Sequence, residues 1–188
     1  MNKKRCSWVN LNNPLSIEYH DKEWGKPSRS DQHLFEMICL EGAQAGLSWE
    51  TILNKRAAYR KAFFRFDVRK CARMTDAQLL KLMNDPGIVR NRLKILSVRK
   101  NAKAFLDVQK EFGTFSKYVW GFVENQSIQG RRKGSDIPTR TELSDLISKD
   151  LKKRGFTFVG TTILYAYLQA VGVVNDHTRA CFLSNLKR

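Results

Sequence analysis

Long apolar runs are missing from this sequence. No stretch approaches the ~20 residues that cross a bilayer, and nothing apolar follows the opening Met1-Asn2-Lys3-Lys4-Arg5. Neither a membrane span nor a secretory leader is read here, and the expected setting is cytoplasmic. Proline is scarce, with 4 in 188 residues, and the apolar–polar alternation of half-buried strands is absent, which points to an all-α fold. Internal repeats and low-complexity tracts are lacking too, which excludes a solenoid. Cysteine is sparse, and in a reducing compartment the 4 present are not expected to pair as disulfides. Each is instead a buried thiol, a metal ligand or a nucleophile. Acidic residues are the most telling deficit: 18 Asp and Glu stand against 34 Lys and Arg, a formal charge of +16. An enzyme of small neutral metabolites has no use for that excess. A polyanion partner explains it, and a nucleic-acid backbone is the commonest one. The plainer alternative is a basic chain with solvated lysines. An anionic membrane surface fits less well, because the basic residues are spread along the chain rather than set opposite an apolar face.

What is present is helical in pattern, and the 42% hydrophobic residues suffice for a core. Apolar residues at three- and four-residue spacing predict a helix capped by Asp31 through Leu34, Phe35, Ile38 and Ala45. A second is capped by Ser48 and carries Ile52 and Leu53 towards Phe63 and Phe64. Asp67 and Thr75 open two shorter segments, Val68 to Met74 and Asp76 to Met83. After the Asp85-Pro86-Gly87 turn, Ile88 to Phe105 reads as helix. Asn125 to Thr139 is polar and without periodicity, a surface loop or connector. Helices resume at Glu142 to Lys153 and Thr161 to Val171.

Four groups of residues can carry chemistry. Cys6 and His20 form a C-x13-H pair, and His177 and Cys181 form an H-x3-C pair. On a helix the second pair would share one face. Together they make the tetrahedral Cys2His2 set that zinc prefers, closed to a catalytic water and therefore structural, tying the chain ends together. Neither spacing is specific, and buried thiols with a surface histidine is the alternative. Cys39 and Cys71 fall within helical patterns as core residues, Cys71 partly exposed. Glu41 is the only charge on the stripe Leu34, Ile38, Glu41 and Ala45. It must find a partner or accept a raised pKa, and pairing with a core Arg or Lys is the alternative to a functional role. Trp8, Trp24 and Trp49, three of the 4 tryptophans, lie in the first quarter of the chain with Tyr19. Aromatic faces beside a carboxylate make a cage for a flat cationic or electron-poor ring, although tryptophans more often simply fill a core. Finally, Arg154 to Thr162 places Gly155 and Gly160 between two helical segments. Such a hairpin offers backbone N–H groups to an anion, a weak pattern by itself.

The segments Cys6-Ser7-Trp8-Val9, Glu18-Tyr19-His20-Asp21-Lys22-Glu23-Trp24-Gly25, Leu34 through Gly42, Gln44-Ala45-Gly46-Leu47-Ser48-Trp49, Leu151 through Phe156, Phe158 through Thr162 and Val174-Asn175-Asp176-His177 closely resemble the bacterial 3-methyladenine DNA glycosylase I family. The resemblance spans nearly the whole chain in one order. It implies an all-α, helix-hairpin-helix glycosylase fold with a structural zinc held by Cys6, His20, His177 and Cys181. The chain would form one catalytic unit over residues 1–188. Segments 1–30 and 170–188 make a zinc-bound lobe, and 31–169 a helical bundle with its hairpin near 155–160. The resemblance places Glu41 at the catalytic position and Tyr19 beside it as a second polar contact to the base. Trp49 stacks on that base, and Trp8 and Trp24 line the surroundings. Gly155, Phe158, Gly160 and Thr161 would meet the DNA backbone. The sequence departs in two places: Ser16 stands where the family often has an aromatic residue, and the Cys6–His20 spacing is one residue longer than usual.

The implied activity is removal of 3-methyladenine from alkylated double-stranded DNA by base flipping and hydrolysis of the N-glycosidic bond, by a monomer. Methylation at N3 makes the attached base cationic and a good leaving group, so Glu41 is expected to recognise and polarise the base more than it activates water, with water activation as the alternative role. No lysine stands out as a Schiff-base nucleophile, so the chemistry is expected to be monofunctional. A non-catalytic DNA-binding protein would share the charge, hairpin and metal but has no use for a carboxylate amid tryptophans. A zinc nucleobase deaminase would need His-x-Glu with Pro-Cys-x-x-Cys, and neither is present.

Overall fold

The computed structural model describes residues 3–130 and 137–184. Its axis is α2 (Asp31–Gln44), in which every residue from Leu34 to Ala43 is buried. A helix buried on all sides must be surrounded by others. Here α3 (Trp49–Ala62), α6 (Arg92–Phe112), α7 (Phe115–Gly121) and α9 (Thr161–Ala170) supply that jacket. Phe35 of α2 meets Phe105 of α6 edge-to-face at 5.2 Å, and Phe105 stacks on Phe115 at 4.1 Å. Among the described residues no helix is long and apolar enough to cross a membrane.

Most helix starts follow from their caps. The Ser48 hydroxyl accepts from Thr51 N–H at 3.1 Å to open α3. Asp67 and Thr75 do the same for α4 (Val68–Ala72) and α5 (Asp76–Lys81). Three expectations shift. Ser30 rather than Asp31 caps α2. Asp31 instead accepts from Phe115 N–H, Ser116 N–H and the Gln109 amide at 2.9, 2.8 and 2.6 Å, holding the start of α7. The long helix α6 begins at Arg92, where Asn91 caps it, and runs to Phe112 before Gly113 turns out at φ 82°. Ile88 to Asn91 are therefore not helical. Cys71 is wholly buried, its thiol donating to Phe63 C=O at 3.2 Å.

A short parallel pairing joins β1 (Ile128–Gln129) to β2 (Val174–Asn175), although the sequence carries no strand pattern. Two-residue strands are too short for alternation to register. The pairing fastens the 125–130 part of the connector to the C-terminal segment; residues 131–136 of that stretch lie outside the described residues. The same C-terminal segment packs on the N-terminal one. Gly25 N–H donates to Gln169 C=O, and Ser28 N–H to Val171 C=O, both at 3.0 Å. Gly172 sits at φ 74°, and a Cβ there would lie 2.2 Å from the Lys26 backbone. Only glycine permits so close an approach.

Candidate active site

The helix α1 (Pro14–Lys22) begins at Asn13, whose side chain accepts from Leu15 N–H, with Pro14 in its first turn. It places Tyr19 and His20, adjacent in sequence, against two different sites. Tyr19 is buried in the wall of a cavity of about 380 Å³. Trp8, Trp24, Trp49 and Glu41 line the same cavity, so all five residues expected around the base converge there. Tyr19 and Trp49 are 5.0 Å apart with their rings tilted, and Trp8 meets Trp24 edge-to-face at 5.0 Å. Trp8, 37% exposed, forms the rim.

Glu41 is 4% exposed and has no hydrogen-bond or ion partner among the described residues. Burial alone pushes its carboxyl up to about 8. The ion pair with a core cation, the alternative for this residue, belongs to its neighbours instead. Arg56 reaches Glu36 at 2.6 Å and grips Glu23 with two bonds of 2.7 Å, while Arg60 adds a 2.8 Å contact to Glu36. Burial, then the nearby charges of Glu41 and Glu23, push the Tyr19 phenol well above its usual range, so it keeps its proton as a donor.

Residues that sequence patterns did not single out complete the cavity: Asn10, Gln44, Glu50 and Gln169 also line it. The Gln169 side-chain amide donates to Asp176 Oδ2 at 2.8 Å. Tyr165 donates to the same Asp176 oxygen. Ser16 lines the cavity too, its hydroxyl accepting from Asn10 N–H at 3.1 Å. None of these polar residues breaks an apolar period, which is the signal that exposed Glu41. No lysine is among the described lining residues. Lys94 of α6 donates to Ala43 and Ala45 C=O at 2.9 and 2.6 Å, capping the end of α2.

His20 enters the second site. The ligand atoms of Cys6, His20 and Cys181 all lie within 4.8 Å of one another. Asp21 takes the Nδ1 side of His20 at 2.8 Å, and Cys6 N–H points to Nε2, so the Nε2 lone pair faces the sulfurs. Cys181 Sγ is 3.4 Å from that nitrogen. Burial pushes the Cys181 thiol up to about 11, and a bound cation would stabilise its thiolate form. Thr178 N–H and Leu183 N–H each point at a cysteine sulfur at 3.5 Å, as donors to a thiolate would. This donor set fits a soft, tetrahedral metal. His177 stands beside the cluster, its ring 5.1 Å from that of His20, with Nδ1 on Asn175 Oδ1 at 2.7 Å; it is not one of the three converging ligands. The one-face helical arrangement expected for His177 and Cys181 is absent. Residues 176–178 are irregular and 179–184 form turns and a bend, because β2 is extended and Asn175 Oδ1 accepts from His177 N–H and folds the chain back.

The remaining predicted contacts lie between α8 (Glu142–Lys153) and α9. Gly155 and Phe158 both have positive φ, 93° and 56°, and Gly160 precedes α9 without any side-chain cap. The Thr161 hydroxyl turns inward to Asp145 and Ser144, which leaves its backbone N–H rather than its side chain to meet an anion. The hairpin packs on the cavity helix, since a Cβ at Gly42 would come within 3.1 Å of Phe158 Cβ.

The geometry has close counterparts. The methyladenine glycosylase family profile matches residues 8–184. DNA-3-methyladenine glycosylase 1 of Escherichia coli (strain K12) is 50% identical over 179 residues, covering 95% of either chain. The DNA-3-methyladenine glycosylase of Haemophilus influenzae is 48% identical over 178 residues, 94% of this chain and 96% of that one. A solved structure of a 3-methyladenine DNA glycosylase I variant in complex with 3-methyladenine superposes with a TM-score of 0.93, covers 98% of both chains and is 34% identical. With fold and sequence agreeing over almost its entire length, the chain belongs to the methyladenine glycosylase family.

Proposed function

We propose that this protein excises 3-methyladenine from alkylated double-stranded DNA, acting as a monomer by hydrolysis of the N-glycosidic bond. One observation carries the reading: a buried carboxyl without a cation partner, Glu41, faces a cavity walled by Trp8, Tyr19, Trp24 and Trp49. A carboxyl so placed is costly in the free protein and is relieved by a cationic ring. A purine methylated at N3 is such a ring while the sugar holds it; unmodified adenine is neutral and gains less.

The lesion nucleotide leaves the stack at a cost of about a few kcal/mol and its base enters beside Trp49. Glu41 transfers its proton to solvent as the cation arrives, and Tyr19 donates to the purine edge. The base departs as a neutral leaving group while an oxocarbenium-like sugar forms, and water adds at the sugar carbon. No lysine is among the described residues that line the cavity, in keeping with monofunctional chemistry without a Schiff base. The backbone at Gly155, Phe158, Gly160 and Thr161 acts as a helix-hairpin-helix grip on phosphate. Cys6, His20 and Cys181, at 3%, 0% and 3% exposure, would hold a structural zinc sealed from substrate, and the neighbouring His177 would be its fourth ligand.

Methylated DNA incubated with the protein should release 3-methyladenine, detected by chromatography, and no adenine. Glu41→Gln should lower the excision rate by about 100-fold, in the range of a lost electrostatic contact to a charged transition state. Full activity in that variant contradicts the role given to Glu41, and no release by the native protein contradicts the function.

A further inference from the structure

The cavity has a second carboxylate. Glu50 follows Trp49 in the first turn of α3 and lines the cavity beside Asn10 and Ser16. A carboxylate at a helix start is ordinary, since it faces unpaired N–H groups. The surroundings of Glu50 are not. Asn10 Nδ2 and Asn13 Nδ2 both donate to Oε1, each at 2.8 Å. Neither asparagine can turn its amide over: Asn10 Oδ1 already accepts from Asn12 N–H at 3.0 Å and Asn13 Oδ1 from Leu15 N–H at 3.0 Å. Asn13 Nδ2 also reaches Asn54 Oδ1 at 3.0 Å, and Ser16 Oγ fixes the Asn10 backbone. The carboxylate is thus held by one oxygen in a preset clamp, and Oε2 has no partner among the described residues. Ser16 is short and its hydroxyl is already engaged with Asn10 N–H, so this polar part of the wall lines the cavity together with the tryptophans.

We propose that Glu50 is a specificity-determining residue: a clamped carboxylate whose Oε2 faces the cavity and favours a purine carrying positive charge over the same purine uncharged. This rests on the glycosylase reading of the cavity and extends it to a second charge contact. Glu41 is buried and meets the base in the interior. Glu50, half-buried at the start of α3, acts where the cation first enters. A positively charged ring gains from both carboxylates, whereas a neutral ring gains only the aromatic contacts.

The test measures binding of two small probes by tryptophan fluorescence at pH 8. One is free 3-methyladenine, uncharged at that pH. The other is the 3,9-dimethyladeninium cation, methylated at both the lesion position and the position the sugar occupies. In Glu50→Gln the amide oxygen still accepts from the asparagine clamp, and only the charge is lost. Affinity for the cation should fall ~10-fold, the size of one partly screened charge contact, and affinity for 3-methyladenine should stay within about twofold. Glu50→Asp, which keeps the charge, should recover part of the preference. A parallel loss for both probes, or no loss for either, overturns the proposal. A native protein that binds neither probe overturns the cavity reading beneath it.

Discussion

Glu23, Glu36 and Glu41 lie close together in the fold, and their partners set them to opposite tasks. Burial raises the Glu23 carboxyl, but hydrogen bonds from His33 and Arg56 outweigh it and hold Glu23 down to about 2. Glu23 therefore contributes stability above its ordinary value near 4.5, and that contribution disappears as pH falls towards 2. Glu41 has the reverse sign. Its carboxyl, raised to about 8 from 4.5, costs stability increasingly as pH climbs between those values. Glu41→Gln should consequently raise the melting temperature, and raise it more at pH 8 than at pH 5. Arg56→Met should lower stability by about 3 kcal/mol, because Glu23 and Glu36 each lose a buried partner and keep only His33 and Arg60. Thermal melts across pH check both, and a Glu41→Gln gain that does not vary with pH would contradict the assignment. Glu41 was legible in the sequence because it interrupts an apolar stripe. The Arg56 pairing was not, since its partners lie 33 and 20 residues away. Glu50 and Asn10 were hidden for another reason: polar residues at helix starts and in turns are expected there without any function.

Among the elements, α1 matters most, because its adjacent Tyr19 and His20 connect the base cavity to the Cys6–Cys181 cluster. Trp24 bridges the two, stacked at 6.2 Å on His20 and 4.6 Å from the His177 ring. Stripping the metal should loosen both chain ends and, through Tyr19, the cavity. Native protein should carry one zinc by elemental analysis. A chelator should lower the melting temperature by about 10 °C, in line with a loss of a few kcal/mol in a chain of this size, and weaken base binding. An unchanged melt after complete removal would contradict a structural metal. Capped helices such as α3, α4 and α5 could be read directly, since a Ser, Asp or Thr side chain announces each start. The start of α6 could not, because Ile88 and Val89 continue the apolar spacing before Asn91 sets the true cap. The irregular 176–184 course was equally hidden, because an H-x3-C spacing is compatible with helix and turn alike.

For the molecule as a whole, the +16 charge and the small cavity make separable demands on solution conditions. DNA affinity should fall by at least about 10³-fold between 50 and 200 mM salt as condensed counterions reclaim the phosphates. Binding of a free methylated base should change far less over the same range. Equal salt dependence would place the base outside the cavity. The central claim, that an unpartnered buried carboxyl selects a cationic purine, is reached most directly by calorimetry. The 3,9-dimethyladeninium cation is titrated into the protein at pH 7 in buffers of different ionisation enthalpy. Because Glu41 starts protonated, binding should release about one proton per site, and Glu41→Gln should release none and bind more weakly. Binding of equal strength in both proteins, with no proton released, would contradict it.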